Sequence, residues 1–365
     1  MLKHKFRSFI IVIFFLFLTI NVIPSVLGKT RQSYLTSFIK ECELKNRGFS
    51  NAIDGELSLE ATAYALDILD KYGINPQEIE SLKTSLENKV KTMFDNKEVD
   101  IYNLYFLLES ISILDHSIDS VLSNRIYKFL NDTEQITGGF SFSNTSNSAN
   151  MASTYYVIQL YSLINETIKN IPIHKSWVLS CNNTDGGYGG NPSLTSNYIS
   201  TSFAVFILDD EKFGDIYDLV DFNNTLTYLK SFYVDSSADL QNYGGYIPDE
   251  LAEYALLSST YYCVRAISLM EINQLSVGNT VKWVLSRQNF KDGGFAENTE
   301  GYQEIESSII SCFYAFETLR ILNSLSKLNV EIWMVEFNYW ILTIVLGSIG
   351  SGIALIIFLW KRRRI

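Results

Sequence analysis

The chain has 365 residues, of which 47% are hydrophobic, 14% aromatic and 19% charged, a balance that buries a large core and excludes both a mini-protein and a disordered chain. Its formal net charge is −11, but the bases at the two ends meet no acids there, so residues 29–338 hold 22 bases against 40 acids, a net −18. A body this acidic repels phosphate backbones and anionic lipid surfaces, and nucleic-acid binding is set aside.

Residues 1–28 read as a signal peptide: basic Lys3, Lys5 and Arg7, an apolar run from Phe9 to Ile20, then Pro24 and a small Gly28 suited to cleavage before Lys29. An uncleaved signal-anchor is the other reading, because apolar residues continue to Ile23.

The body, residues 29–330, reads as a repeat. A glycine followed by an aromatic recurs at Gly48-Phe49, Gly138-Gly139-Phe140, Gly186-Gly187-Tyr188, Gly244-Gly245-Tyr246 and Gly293-Gly294-Phe295. Fourteen or fifteen residues beyond the last glycine, a hydroxyl residue opens an apolar run: Thr62, Thr154, Thr201, Thr260 and Ser308. Two positions further come Tyr64, Tyr156, Phe203, Tyr262 and Ile310. Successive doublets lie 48, 58 and 49 residues apart, and the 90 residues between Gly48 and Gly138 leave room for one degenerate copy whose second helix is the run Ile101 to Leu114. Six units follow, near 38–70, 80–114, 125–164, 175–210, 226–270 and 280–322. Each has an amphipathic helix and then a helix apolar nearly all round, which must be buried. The expected fold is all-α, an inner ring of helices inside an outer ring, with glycine making the positive-φ turn between partners.

After a linker at 331–338, residues 339–360 carry no charge, and a helix of that length reaches about 33 Å, enough to cross a bilayer. Tyr339, Trp340 and Trp360 sit where interfacial aromatics belong, and the basic run Lys361 to Arg364 in the tail 361–365 stays cytoplasmic under the positive-inside rule. The expectation is a single-pass type I membrane protein with an extracytoplasmic body. Gly347, Ser348, Ser351 and Gly352 offer small-residue spacing for packing a second helix, and the oligomeric state stays open. Sequons at Asn131, Asn144, Asn165, Asn182 and Asn223 permit glycosylation at a frequency no higher than chance gives.

The segments Cys181-Asn-Asn-Thr-Asp-Gly-Gly-Tyr and Arg287-Gln288-Asn289-Phe290-Lys291-Asp292-Gly293-Gly294-Phe295 resemble the Q-x-x-x-D-G-G-F repeat of protein prenyltransferase β subunits and terpenoid cyclases. The resemblance implies an (α/α)6 toroid over roughly residues 30–328, and says more about fold than function. It also implies where chemistry would sit. Prenyltransferases hold zinc through an Asp-x-Cys pair four and two positions before the Thr/Ser slot and a His one before it, the metal activating a substrate thiol. Here the paired slots hold Asn197 and Ile199, Leu256 and Ser258, or Glu304 and Glu306, and the His slot holds Ser200, Ser259 or Ser307. No Asp-x-Cys occurs in the chain, and neither His4, His116 nor His174 falls in that slot. The cyclases' Asp-x-Asp-Asp proton donor and the thioester relatives' Cys-Gly-Glu-Gln are likewise missing. Asp209-Asp210 reads as the start of a solvated loop. No cofactor and no metal are expected, and catalytic residues stay unassigned.

Two candidate sites remain. Tyr64, Tyr155, Tyr156, Phe203, Tyr261 and Tyr262 line a central cavity for an apolar small molecule or a peptide, or else pack as core. Glu304 and Glu306 form an acid or cation pair at an inner-helix mouth, or else a solvated loop face. Cys263 and Cys312 lie on neighbouring inner helices, open to a disulfide or to buried free thiols. Three functions therefore stand: a ligand-binding or interaction module, a divergent enzyme acting on an isoprenoid or other lipid, and a structural ectodomain filled by its own aromatics.

Overall fold

The computed structural model describes residues 29–289, 291–298 and 306–332. The expected signal peptide, transmembrane helix and basic tail, most of the juxtamembrane linker, and Glu304 lie outside them. Among the described residues no helix is long and apolar enough to cross a membrane. The chain divides into two units, residues 32–329 and the two ends, 1–31 with 330–365. In the unit of the ends, β1 (Lys29–Thr30) pairs antiparallel with β5 (Glu331–Ile332), Lys29 opposite Ile332.

In its described residues the larger unit has twelve α-helices that alternate between outer and inner positions. The outer helices are α1 (Arg31–Glu41), α3 (Ile79–Asn96), α5 (Ser120–Thr133), α7 (Ile171–Ser180), α9 (Phe222–Ser231) and α11 (Val277–Ser286). The inner helices are α2 (Leu59–Lys71), α4 (Ile101–Ile113), α6 (Met151–Leu163), α8 (Tyr198–Leu208), α10 (Leu257–Glu271) and α12 (Ile309–Ile321). Each inner helix packs on the next, and α12 packs back on α2, so the inner ring is closed. The degenerate second unit is the pair α3 and α4; it lacks a glycine doublet, and its turn passes through Lys97 in the left-handed region.

Inner helices are buried because they have no polar face to offer water. All of α8 except Ile199 is buried, and each Leu, Ile or Phe so placed contributes roughly 1.5–3 kcal/mol of transfer free energy. Their starts are set by capping side chains. Ser58, Asp100, Asn150, Asn197 and Ser308 each accept a backbone N–H from the first turn. Helix α10 follows Leu256, which cannot cap, and Glu297 of the next unit accepts the Ser258 N–H instead at 2.9 Å.

The loop between outer and inner helix is a short antiparallel turn, in the first unit the three strands β2 (Glu43–Leu44), β3 (Gly48–Ser50) and β4 (Leu57–Ser58). Its glycines do two jobs. Gly138, Gly186, Gly244 and Gly293 take positive φ. They and their partners also leave no room for a side chain: a Cβ on Gly138 would lie 2.6 Å from the Ile173 carbonyl oxygen, and one on Gly293 would lie 2.4 Å from that of Tyr34. Each of the four doublets is thus the seat of the following unit's outer helix, α7 on Gly138-Gly139 and, closing the circle, α1 on Gly293-Gly294.

Candidate functional site

In five of the six units the same hydrogen bond sets the inner helix against its loop. The loop aromatic's N–H donates to a threonine hydroxyl four residues past the N-cap: Phe49 to Thr62 at 2.9 Å, Phe140 to Thr154 at 3.0 Å, Tyr188 to Thr201 at 2.9 Å and Tyr246 to Thr260 at 3.0 Å. In the sixth unit the acceptor is not Ser308 but the Cys312 sulfur, 3.2 Å from the Phe295 nitrogen. Ser308 is the N-cap. The sequence register of that unit is therefore corrected by four residues, and its metal-ligand slots become Ser308, Ile310 and Ser311, which carry neither acid, thiol nor imidazole. Among the described residues no group of three His, Cys, Asp or Glu side chains converges.

The corrected register exposes a layer invisible before. Six positions past the N-cap every inner helix carries an aromatic: Tyr64, Phe106, Tyr156, Phe203, Tyr262 and Tyr314. Their centroids run round the lumen at 5.4, 6.0, 5.7, 5.5, 5.9 and 6.1 Å, back to Tyr64. Such edge-to-face and tilted spacings are favourable, each pair worth about 0.5–1.5 kcal/mol beyond burial. Phe313 stacks on Tyr64 at 3.7 Å and narrows the ring further. All of the ring but Tyr64 is buried, and a separate cavity lies on each side of it, Tyr156, Phe203 and Tyr262 lining both.

On the amino-end side of this ring lies a mouth of about 560 Å³, bounded by Glu60, Tyr102, Phe142, Asn150 and Asn191. The Tyr102 hydroxyl donates to Glu60 at 2.5 Å. Burial pushes the Glu60 carboxyl above its ordinary range, and hydrogen bonds from Tyr102 and Tyr64 only partly offset this. On the carboxyl-end side lies a cup of about 340 Å³. Its wall is the layer nine positions past the N-cap: Asp67, Glu109, Gln159, Arg265 and Glu317, with Phe206 in the fourth unit. Asp67 pairs with Lys71 at 3.7 Å, and Glu317 binds Arg320 through both oxygens at 2.7 and 2.5 Å. Burial raises the carboxyls of Asp67 and Glu109, and each is raised further by an acidic neighbour, Glu317 for the first and Asp67 for the second.

All six aromatics singled out in the sequence line the cup: Tyr64, Tyr155, Tyr156, Phe203, Tyr261 and Tyr262. Glu306 is exposed and lines neither cavity. Asp209 caps α8 and is exposed. The four cysteines are buried free thiols, so Cys263 and Cys312 are not bridged. Burial pushes the Cys42 and Cys181 thiols up to about 12 and the other two upward as well, which makes all four poor nucleophiles. Sequence reasoning missed Glu60, Glu109, Arg265 and Glu317. Of these only Glu109 carried a signal, as the one charged residue of α4; Glu60, Arg265 and Glu317 share their helices with other charges.

The family model of the prenyltransferase alpha-alpha toroid domain matches residues 3–95, 74–176 and 173–342. Among solved structures, the Candida albicans protein geranylgeranyltransferase-I complexed with GGPP is similar at 15% identity and a TM-score of 0.61, covering 85% of this chain and 97% of that one. The type II terpene cyclase MstE from Scytonema, in its apo form, is similar at 12% identity and a TM-score of 0.52, covering 81% of this chain and 97% of that one. A protein from Actinoplanes aligns at 12% identity and a TM-score of 0.52, covering 82% of this chain and 99% of that one. At such identities the likeness shows the fold alone. No curated protein matches. With nearly its whole length matched by that domain in three overlapping stretches, the chain belongs to the prenyltransferase alpha-alpha toroid family.

Proposed function

We propose that the chain is a membrane-anchored, extracytoplasmic toroid that binds a short apolar or peptide ligand in its amino-end mouth and does not transfer prenyl groups. The observation that carries this is the aromatic ring: Phe106, Tyr156, Phe203, Tyr262 and Tyr314 are buried in it, so a long isoprenoid laid along the axis would have to displace them. No unit has an Asp-x-Cys pair or a histidine in the slots for a zinc site; the carboxylates there, Glu60 and Asp100, stand in different units without a thiol or imidazole beside them, which supports the same reading. The anchor rests on the uncharged run 339–360 and its basic tail, and the location of the body rests on the N-terminal basic and apolar segment.

The test is native mass spectrometry and metal analysis on the full-length protein, extracted in detergent from a eukaryotic secretory host. The expected result is a metal-free chain, resistant to alkaline carbonate extraction, that carries a co-purified apolar or peptide ligand. Stoichiometric zinc together with prenyl transfer overturns it. A second reading rests on Glu60, a carboxyl whose pKa burial raises in an aromatic-lined mouth where the Tyr102 hydroxyl donates to it, and makes the protein a divergent lipid-modifying enzyme with Glu60 as its acid/base group. Turnover of a lipid substrate that is lost in Glu60→Gln with ligand binding retained favours this second reading over the first.

A further inference from the structure

The cup at the carboxyl ends of the inner helices lies on the far side of the aromatic ring from the mouth, and its charges are not all accounted for. Two of its acids are matched, Asp67 with Lys71 and Glu317 with Arg320. Two groups are left. Glu109, partly buried on α4, has no hydrogen-bond or ion-pair partner among the described residues. Arg265, partly buried on α10, donates from Nη1 to the Tyr261 hydroxyl at 3.0 Å and from Nη2 to the Tyr155 hydroxyl at 3.4 Å, and lies over the Phe206 ring at 4.1 Å. No carboxylate lies within ion-pair distance of it among the described residues; exposed Asp209 is influenced by its charge without pairing with it. A guanidinium has five N–H donors in a fixed fork. Phenol oxygens take two here, and a neutral phenol does not neutralise the charge.

In the closed ring α4 and α10 are the second and fifth inner helices, so they face each other across the lumen. An acid and a base on opposite walls of one cavity, each unmatched and too far apart to pair, leave a gap with an anionic pole and a cationic pole. The floor between them is phenolic, made by Tyr105, Tyr155 and Tyr261. Aromatic faces attract an ammonium group, and the helix carboxyl ends round the cup favour positive charge there. The Arg265 fork fits a carboxylate bidentately. A volume of about 340 Å³ admits a molecule the size of an amino acid or dipeptide.

We propose that this cup is a binding site for a small apolar zwitterion, an amino acid or dipeptide, whose ammonium is held by Glu109 over the phenol faces and whose carboxylate is held by Arg265. The site is separate from the mouth invoked above, so the two readings stand or fall independently. Keeping both charges unmatched is costly to the fold, which is the expected signature of a site completed by its ligand.

Isothermal titration of the full-length protein in detergent tests it, with L-phenylalanine, L-phenylalaninamide, N-acetyl-L-phenylalanine and the dipeptide Leu-Phe. Free zwitterions bind, and each blocked analogue binds at least about tenfold more weakly, a difference of about 1.4 kcal/mol. In Glu109→Gln the penalty for N-acetylation disappears while the penalty for the amide remains; in Arg265→Gln the reverse holds. A tighter dipeptide assigns the site to peptides and a tighter phenylalanine assigns it to free amino acids; both uphold the proposal. It is overturned if neither zwitterion binds at millimolar concentration, if the blocked analogues bind as tightly as the free forms, or if neither variant changes the discrimination. Should a variant fail to fold, the wild-type comparison of blocked and free ligands decides alone.

Discussion

Cys312 accepts the Phe295 N–H in a position where four other units use threonine. A sulfur is a weak acceptor, yet this one is buried and satisfies a buried donor. Cys312→Val removes the acceptor at similar volume and is expected to cost about 1–3 kcal/mol, read as a midpoint shift in urea. Cys312→Thr is expected to be neutral or stabilising, because its hydroxyl also reaches the carbonyl of the N-cap, as Thr62 and Thr154 do. Equal destabilisation by both variants refutes the role given to the sulfur. His174 is a second residue with a single task. It is fully buried, accepts the Gly139 N–H through Nδ1 at 3.1 Å and stacks on Phe140. Burial lowers its pKa, outweighing the Glu134 carboxylate 3.4 Å from Nε2. The unfolded chain then binds the proton more readily than the native one, so the contribution is full above the unfolded value of about 6.5 and is lost as pH falls from there through the lower native value. Melting temperature is expected to drop between pH 7 and 5 in wild type and to drop less in His174→Asn; parallel curves contradict this assignment.

The junction between units works by close approach. Gly293 and Gly73 both take positive φ, at 95° and 64°, but a Cβ on Gly73 meets nothing within 4 Å, whereas one on Gly293 meets the backbone of Tyr34. Gly73→Ala is expected to cost about 1 kcal/mol from backbone strain, and Gly293→Ala distinctly more, because α1 has to back away from its seat. Equal losses in a denaturation series would mean that crowding at the seat contributes nothing. The same junction explains what the sequence discloses. Glycine doublets and threonines recur because each unit makes the same loop, so helix order and the six units can be read from spacing. The sixth unit slips by four residues because Ser308 mimics the hydroxyl slot while the true acceptor is a cysteine. The second unit hides because it turns through Lys97 rather than a glycine pair. That slip concealed Tyr314, and the missing doublet concealed Phe106, so the aromatic ring emerges only when the helices are placed side by side. The cup is harder still, since Glu109 and Arg265 lie far apart in sequence and come to line one cavity only through closure.

The inner ring closes through the Ile309 N–H donating to the Asn51 carbonyl at 2.8 Å and the Ile310 N–H donating to the Asn51 side chain at 3.1 Å, a contact that spans 259 residues. A linear array of repeats needs a polar cap at each end, but a ring shields its first unit with its last. Time enters here. At about 5–20 residues per second of synthesis, the first unit waits on the order of tens of seconds before the sixth exists to cover it. During that interval α2 shows an apolar flank that nothing in the nascent chain can bury. Chains stalled before α12 has emerged are therefore expected to stay protease-sensitive in every unit, and those stalled after it to become resistant together; stepwise resistance, unit by unit, would mean that the ring does not depend on its closing joint.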